Sequence, residues 1–104
     1  MVIILIRRCV RPEKEKEFLA NFKHPVHSGY IGETLTKVRD PKNLPEPMRS
    51  FNVQGENCVT YINVARWKNV ECFMECFPPH TPHDIELETE ARVRVVLNVV
   101  LDDV

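Results

Sequence analysis

In VTYINVARWKNVECFMECFPP, residues 59–79, a strand pattern gives way to a helix pattern within a few positions. Val59, Tyr61, Ile62 and Val64 are β-branched or aromatic, which suits a pleated, half-buried surface and predicts a strand over residues 58–65 that runs into Arg66 and Trp67. Val70, Phe73, Met74 and Phe77 then recur at i, i+3, i+4 and i+7, one face of a helix. Pro78 and Pro79 stop that helix because neither offers a backbone donor.

Further strands are expected on either side. Downstream, residues 91–101 are a long β-branched run with Val93, Val95, Leu97, Val99 and Leu101 on one side. Upstream, Val2–Val10 is almost continuously apolar at first, as expected of a central strand buried on both faces, and Arg11-Pro12 ends it. Pro12 suits a first helical turn, Glu13, Glu15 and Glu17 favour its positive end, and Phe18, Leu19 and Phe22 form a one-sided stripe. A helix over residues 13–23 follows, broken by His24-Pro25. After Ser28-Gly29, the residues Ile31, Thr34, Leu35, Thr36 and Val38 predict a strand over residues 30–38. Residues 39–57 hold Pro41, Pro45, Pro47 and Gly55, an unusually long connection with room for a short extra strand at residues 50–53.

The order β-α-β-β-α-β is the split βαβ arrangement of the ferredoxin-like α+β fold: a four-stranded antiparallel sheet with two helices on one face. Nothing in the chain covers the other face, although strands one and four are too apolar to meet water. A homodimer through the sheet faces is therefore expected.

Composition narrows the partners. With 104 residues, 43% hydrophobic and 28% charged, the chain suits one globular domain. Fourteen basic residues against fifteen acidic give a net charge of -1, so no general field recruits nucleic acid or anionic lipid. The apolar start ends at Arg7 and Arg8, far short of the ~20 residues that span a membrane. Cys9, Cys58, Cys72 and Cys76 come with no secretion signal, which predicts free thiols and a cytoplasmic protein. Cys72 and Cys76 sit one helical turn apart, but no C-x-x-C pair completes a metal site, so no metal is expected. No Ser-His-Asp order, phosphate loop or nucleotide fingerprint appears.

Several stretches together resemble the antibiotic biosynthesis monooxygenase-like family of the dimeric α/β barrel superfamily. They are RPEKEKEFL entering the first helix, HSGYIGETL with its glycine-aromatic turn, VTYINVARW ending in Trp67, and WKNVECFMECF with Glu71 four residues after the tryptophan. The resemblance implies a homodimer, no bound cofactor, and a cavity near Trp67 suited to a planar aromatic or polyketide-like substrate. It also implies one of three roles: metal- and flavin-free monooxygenase, an oxidoreductase; haem-binding or haem-degrading protein; or non-catalytic ligand-binding or regulatory domain. The haem-degrading branch is expected to carry an asparagine on strand one, a tryptophan after strand three and a histidine near the end of helix two. Of these Trp67 is present, while strand one has Arg7 and Arg8, and helix two has Glu75, Cys76 and Phe77.

The candidate ligand-binding residues each have a second reading. Trp67 stacks on a planar ligand or anchors the core at the strand-helix junction. Phe73 and Phe77 either line the cavity or fill it. His80 and His83, in PPHTPH, make a proton shuttle or a metal pair with Asp84 or Glu86, or belong to a solvated loop. Arg66, Arg92, Arg94 and Asn63 point into the barrel to bind a carboxylate or enolate, or face solvent, or pair with Glu86, Glu88 and Glu90. Tyr30 and Tyr61 donate phenolic protons to a ligand or pack in an interface. No residue is assigned a catalytic role.

Overall fold

The structure is a computed structural model and describes residues 1–48 and 53–103. Four strands, β1 (Val2–Val10), β2 (Tyr30–Lys37), β3 (Val59–Trp67) and β4 (Val93–Asn98), form one antiparallel sheet in the order β2-β3-β1-β4. Helix α1 (Glu15–Asn21) follows β1, and α2 (Val70–Cys76) follows β3, giving the expected ferredoxin-like α+β architecture. None of the helices among the described residues is long and apolar enough to cross a membrane.

Alternation sorts the sheet into two faces. On β1, Val2, Ile4 and Ile6 face the helices and pack with Ala65, Trp67 and Phe73, while Val10 packs with Phe18 of α1 and Tyr61. Ile3, Leu5 and Arg7 point the other way, opposite Arg66, Val64 and Ile62 of β3 and opposite Leu97, Val95 and Val93 of β4. This outer face is the apolar one foreseen without a cover. Val93, Val95 and Leu97 are 42–49% exposed there.

The first helix starts later than residue 13 because Pro12 opens a short 3-10 turn, Pro12–Lys14, before the α-helix proper. Asn69 caps α2, its side chain accepting from the Cys72 amide at 2.9 Å. The strand expected over residues 91–101 is shorter at both ends. Asn98 pairs with Val2, the first residue of β1, so residues beyond it run out of partner after Val99 N–H reaches the Met1 carbonyl. At the other end the chain bulges so that Glu88, not the Glu90 that the register would place there, bridges to Val10. The extra strand expected at residues 50–53 falls largely on residues 50–52, outside the described ones; Val53 has no regular structure.

One irregularity in β2 matters for the site. Tyr30 pairs with Trp67, but Gly32, not Ile31, pairs with Arg66, so a bulge resets the alternation. Tyr30 and Glu33, three residues apart, thereby face the helices together.

Candidate functional site

Between the helix face and the two helices lies a cavity of about 260 Å³. Its apolar wall is aromatic: Phe18 and Phe22 from around α1, Trp67 from the end of β3, and Phe73 and Phe77 from α2. Its polar wall is Arg8, Glu33, Asn63, Arg92 and Arg94. An adjoining cleft of about 270 Å³ shares Phe73, Phe77 and Arg94 with it.

Trp67 anchors the core at the strand-helix junction, the second of its two readings. It is 1% exposed, and edge-to-face contacts with Tyr30, Phe73 and Phe77 at centroid distances of 5.4, 5.6 and 6.4 Å fix its plane. One edge still borders the cavity.

The charged wall is organised by Glu88. Its buried carboxylate takes Arg92 Nε at 3.0 Å and Arg92 NH2 at 2.8 Å, and Arg8 NH2 at 3.3 Å. Burial pushes the Glu88 carboxyl up, but the Arg92 hydrogen bonds and the Arg8 charge outweigh it and hold it below its ordinary value. Arg8 also lies over the Phe18 ring, 4.5 Å from its centroid. Burial, reinforced by the neighbouring Arg92 charge, lowers the pKa of both Arg8 and Arg94, though a guanidinium stays charged throughout the accessible range.

Arg94 differs from its neighbours. Among the described residues no carboxylate forms an ion pair with it, and its Nε is buried without a hydrogen-bond partner. Asn63 is similar: 3% exposed, it donates from Nδ2 to Glu33 Oε2 at 3.2 Å while Oδ1 has no partner. Leaving such a buried group unmet costs about 1–3 kcal/mol, and with Arg8 Nε, which likewise has no partner, three of them stand on one cavity wall, open to a polar partner.

The remaining candidates are dispersed. Tyr61 packs on Phe18 at 4.9 Å between centroids, and burial raises its pKa. Tyr30 leans on Trp67 and carries its hydroxyl toward His24. Arg66 lies opposite Ile3 and Gly32, on the outer face and away from the cavity. His80 and His83 line a separate cleft of about 150 Å³ that reaches Arg92 and Arg94 from the other side, so no histidine there meets Trp67. Of the acidic partners considered for the arginines, Glu88 takes Arg8 and Arg92, and Glu90 takes Arg7 at 2.6 Å. Among the described residues no three His, Cys, Asp or Glu side chains group to hold a metal ion.

Arg8 and His24 lie outside the stretches that carry the family resemblance, and Glu33, though within HSGYIGETL, has no role implied there. Glu33 shares a strand face with Leu35 by simple alternation, the one signal in the sequence that it points toward the core.

No protein-family model matches the chain, and no curated protein matches it. Among solved structures it is similar to a mutant of MhuD crystallised with two manganese protoporphyrin IX molecules bound per active site. The TM-score is 0.56 at 17% identity, covering 98% of this chain and 97% of that one. At that identity the likeness is one of fold.

Proposed function

We propose that this domain binds a flat aromatic molecule bearing an acidic group in the helix-face cavity, with the rings against Trp67, Phe73 and Phe77 and the acid on Arg94. The observation that carries this reading is Arg94, whose Nε is buried with no hydrogen-bond partner and which forms no ion pair among the described residues, set in a cavity with an aromatic wall. Porphyrins are the first class to test, because the fold is shared with a protein holding them. A tetrapyrrole is larger than the main cavity and would extend into the adjoining cleft past Phe73 and Phe77. Its carboxylates suit the arginines. Among the described residues the main cavity is lined by no histidine, cysteine or methionine, and the adjoining cleft adds Met74 as a side chain of the usual axial kind.

The second reading is metal- and flavin-free oxygenation of a planar, readily deprotonated substrate. The feature that favours it is the carboxylate of Glu33 in the same cavity. Under either reading a second copy covers the outer face.

Titrating the protein with manganese protoporphyrin IX and with 1-naphthol, while following Trp67 fluorescence, tests ligand binding. Quenching is expected, and Arg94→Gln should weaken binding of the carboxylate-bearing porphyrin about tenfold or more, as loss of a charge-assisted hydrogen bond predicts. If neither compound perturbs Trp67, the cavity is packing, and a non-catalytic domain acting through its surface replaces this reading.

A further inference from the structure

We propose that Glu33 and His24 are a proton-transfer pair at the mouth of the cavity, Glu33 taking a proton from a carbon acid bound against Arg94 and His24 passing it to solvent. The inference rests on the cavity being a ligand site and adds a chemical step to it.

The Glu33 side chain is 8% exposed, yet among the described residues none of its hydrogen bonds comes from a lysine or arginine. Asn63 Nδ2 donates to Oε2 at 3.2 Å, and His24 Nδ1 stands 3.2 Å from Oε1. A largely buried carboxylate held by an amide and an imidazole rather than locked onto a fixed cation is free to accept a proton. Glu88, clamped by two arginines, is the contrast within the same wall.

His24 Nδ1 faces two groups, Glu33 Oε1 and the Tyr30 hydroxyl at 3.3 Å. One ring nitrogen either donates to the carboxylate or accepts from the phenol, so the geometry supplies two resting places for one proton. The imidazole side chain is 56% exposed, which gives that proton a way out. The β2 bulge is what brings Tyr30 and Glu33 to the same side of the strand, and so to the same histidine.

In the step itself, a C–H bond next to a ligand carbonyl breaks and its proton bonds to a Glu33 oxygen. The electron pair moves onto the carbonyl oxygen as an enolate, which Arg94 stabilises. The Glu33 proton then moves to His24 Nδ1, and the ring releases its other nitrogen's proton to water. Run in reverse with a solvent proton, the same steps return the ketone, so no oxidant is consumed. The groups facing Glu33 are Arg8 from β1, whose charge senses it, Tyr30 on β2, Asn63 on β3 and His24 after α1; Lys23 lines the same cavity.

The test uses 2-tetralone, a two-ring ketone with acidic C1 protons, in deuterated buffer. NMR follows loss of those protons while Trp67 fluorescence reports binding. The intact protein should accelerate exchange, and Glu33→Gln, which keeps the size of the side chain and an oxygen to accept from Asn63, should slow it by about 100-fold with binding retained. His24→Ala should slow it about tenfold and recover with added imidazole, a rescue that a purely structural histidine would not show. Binding with exchange no faster than in buffer, or equal in Glu33→Gln, overturns the pair and leaves the ligand site standing. Absence of quenching by tetralone and by the compounds above overturns both.

Discussion

Glu88 shows how a single side chain can hold a site together. Its side chain has no exposure, and two arginines converge on it from β1 and from the start of the β4 segment. Removing one partner of a buried ionic group leaves the others desolvated and uncompensated, so Glu88→Gln should cost about 3–5 kcal/mol in a urea melt. The pH dependence has a definite sign. Glu88 titrates below its ordinary 4.5 in the folded protein, so the unfolded chain binds that proton more tightly. Its contribution is complete above that value and is lost as the pH falls through the lower, folded value. Nothing in DIELETE, residues 84–90, distinguished this glutamate from its neighbours. Its burial follows from a bulge that no local pattern encodes. Trp67, by contrast, was legible, because an aromatic residue closing an apolar strand and preceding a helix has only the core beside it.

At the scale of elements, the strands and helices were readable from periodicity, whereas their ends depended on pairing. β4 stops at Asn98 because β1 has no residue left to pair with, although Val99 and Leu101 continue the apolar side. Arg66 and Asn63, three apart, fall on opposite faces of β3 by alternation, but which of them faces the cavity needed the register with β1. The long β2–β3 connection also does something its composition did not announce. A methyl group on Gly55 would stand 2.5 Å from Cys9 Sγ and 2.8 Å from Cys58 Sγ, so the loop lies tight over both sulfurs. Burial, then contact with Cys58 and Glu90, pushes the Cys9 thiol from 9.0 up to about 12. Cys9 should resist iodoacetamide at neutral pH until the protein is denatured, with peptide mass spectrometry as the check; rapid labelling of the native protein would show that the loop does not seal it. Because the folded state holds this proton more tightly than the unfolded one, stability should also decline as the pH rises above 9.0 toward 12.

The whole molecule is a slab with one finished side. Its radius of gyration is 14.7 Å, against about 13 Å usual for a chain of this length, as expected when helices cover only one face of a sheet. Ile3, Leu5, Ile62, Val64, Val93, Val95 and Leu97 make the other face largely apolar, with Arg7 and Arg66 among them. A second copy placed there would bury what water now meets, and sedimentation at micromolar concentration should give a dimer. Val95→Glu, which sets a charge at the middle of that face opposite Leu5, should give a monomer that keeps its fold by circular dichroism. A monomeric unaltered protein would count against the pairing.

The alternation that separates these two faces also sets how the chain can change. On β4, Arg94 looks into the cavity and Val95 away from it; on β1, Ile6 and Arg8 look in while Leu5 and Arg7 look out. The proposed ligand contacts and the expected dimer face are therefore written on the odd and even letters of the same short words. Each can be rewritten by substitution without touching the other, but inserting or deleting one letter in the paired part of β1 or β4 would exchange the two messages beyond that point. The lengths of these strands are thus more tightly constrained than the identities of most of their residues.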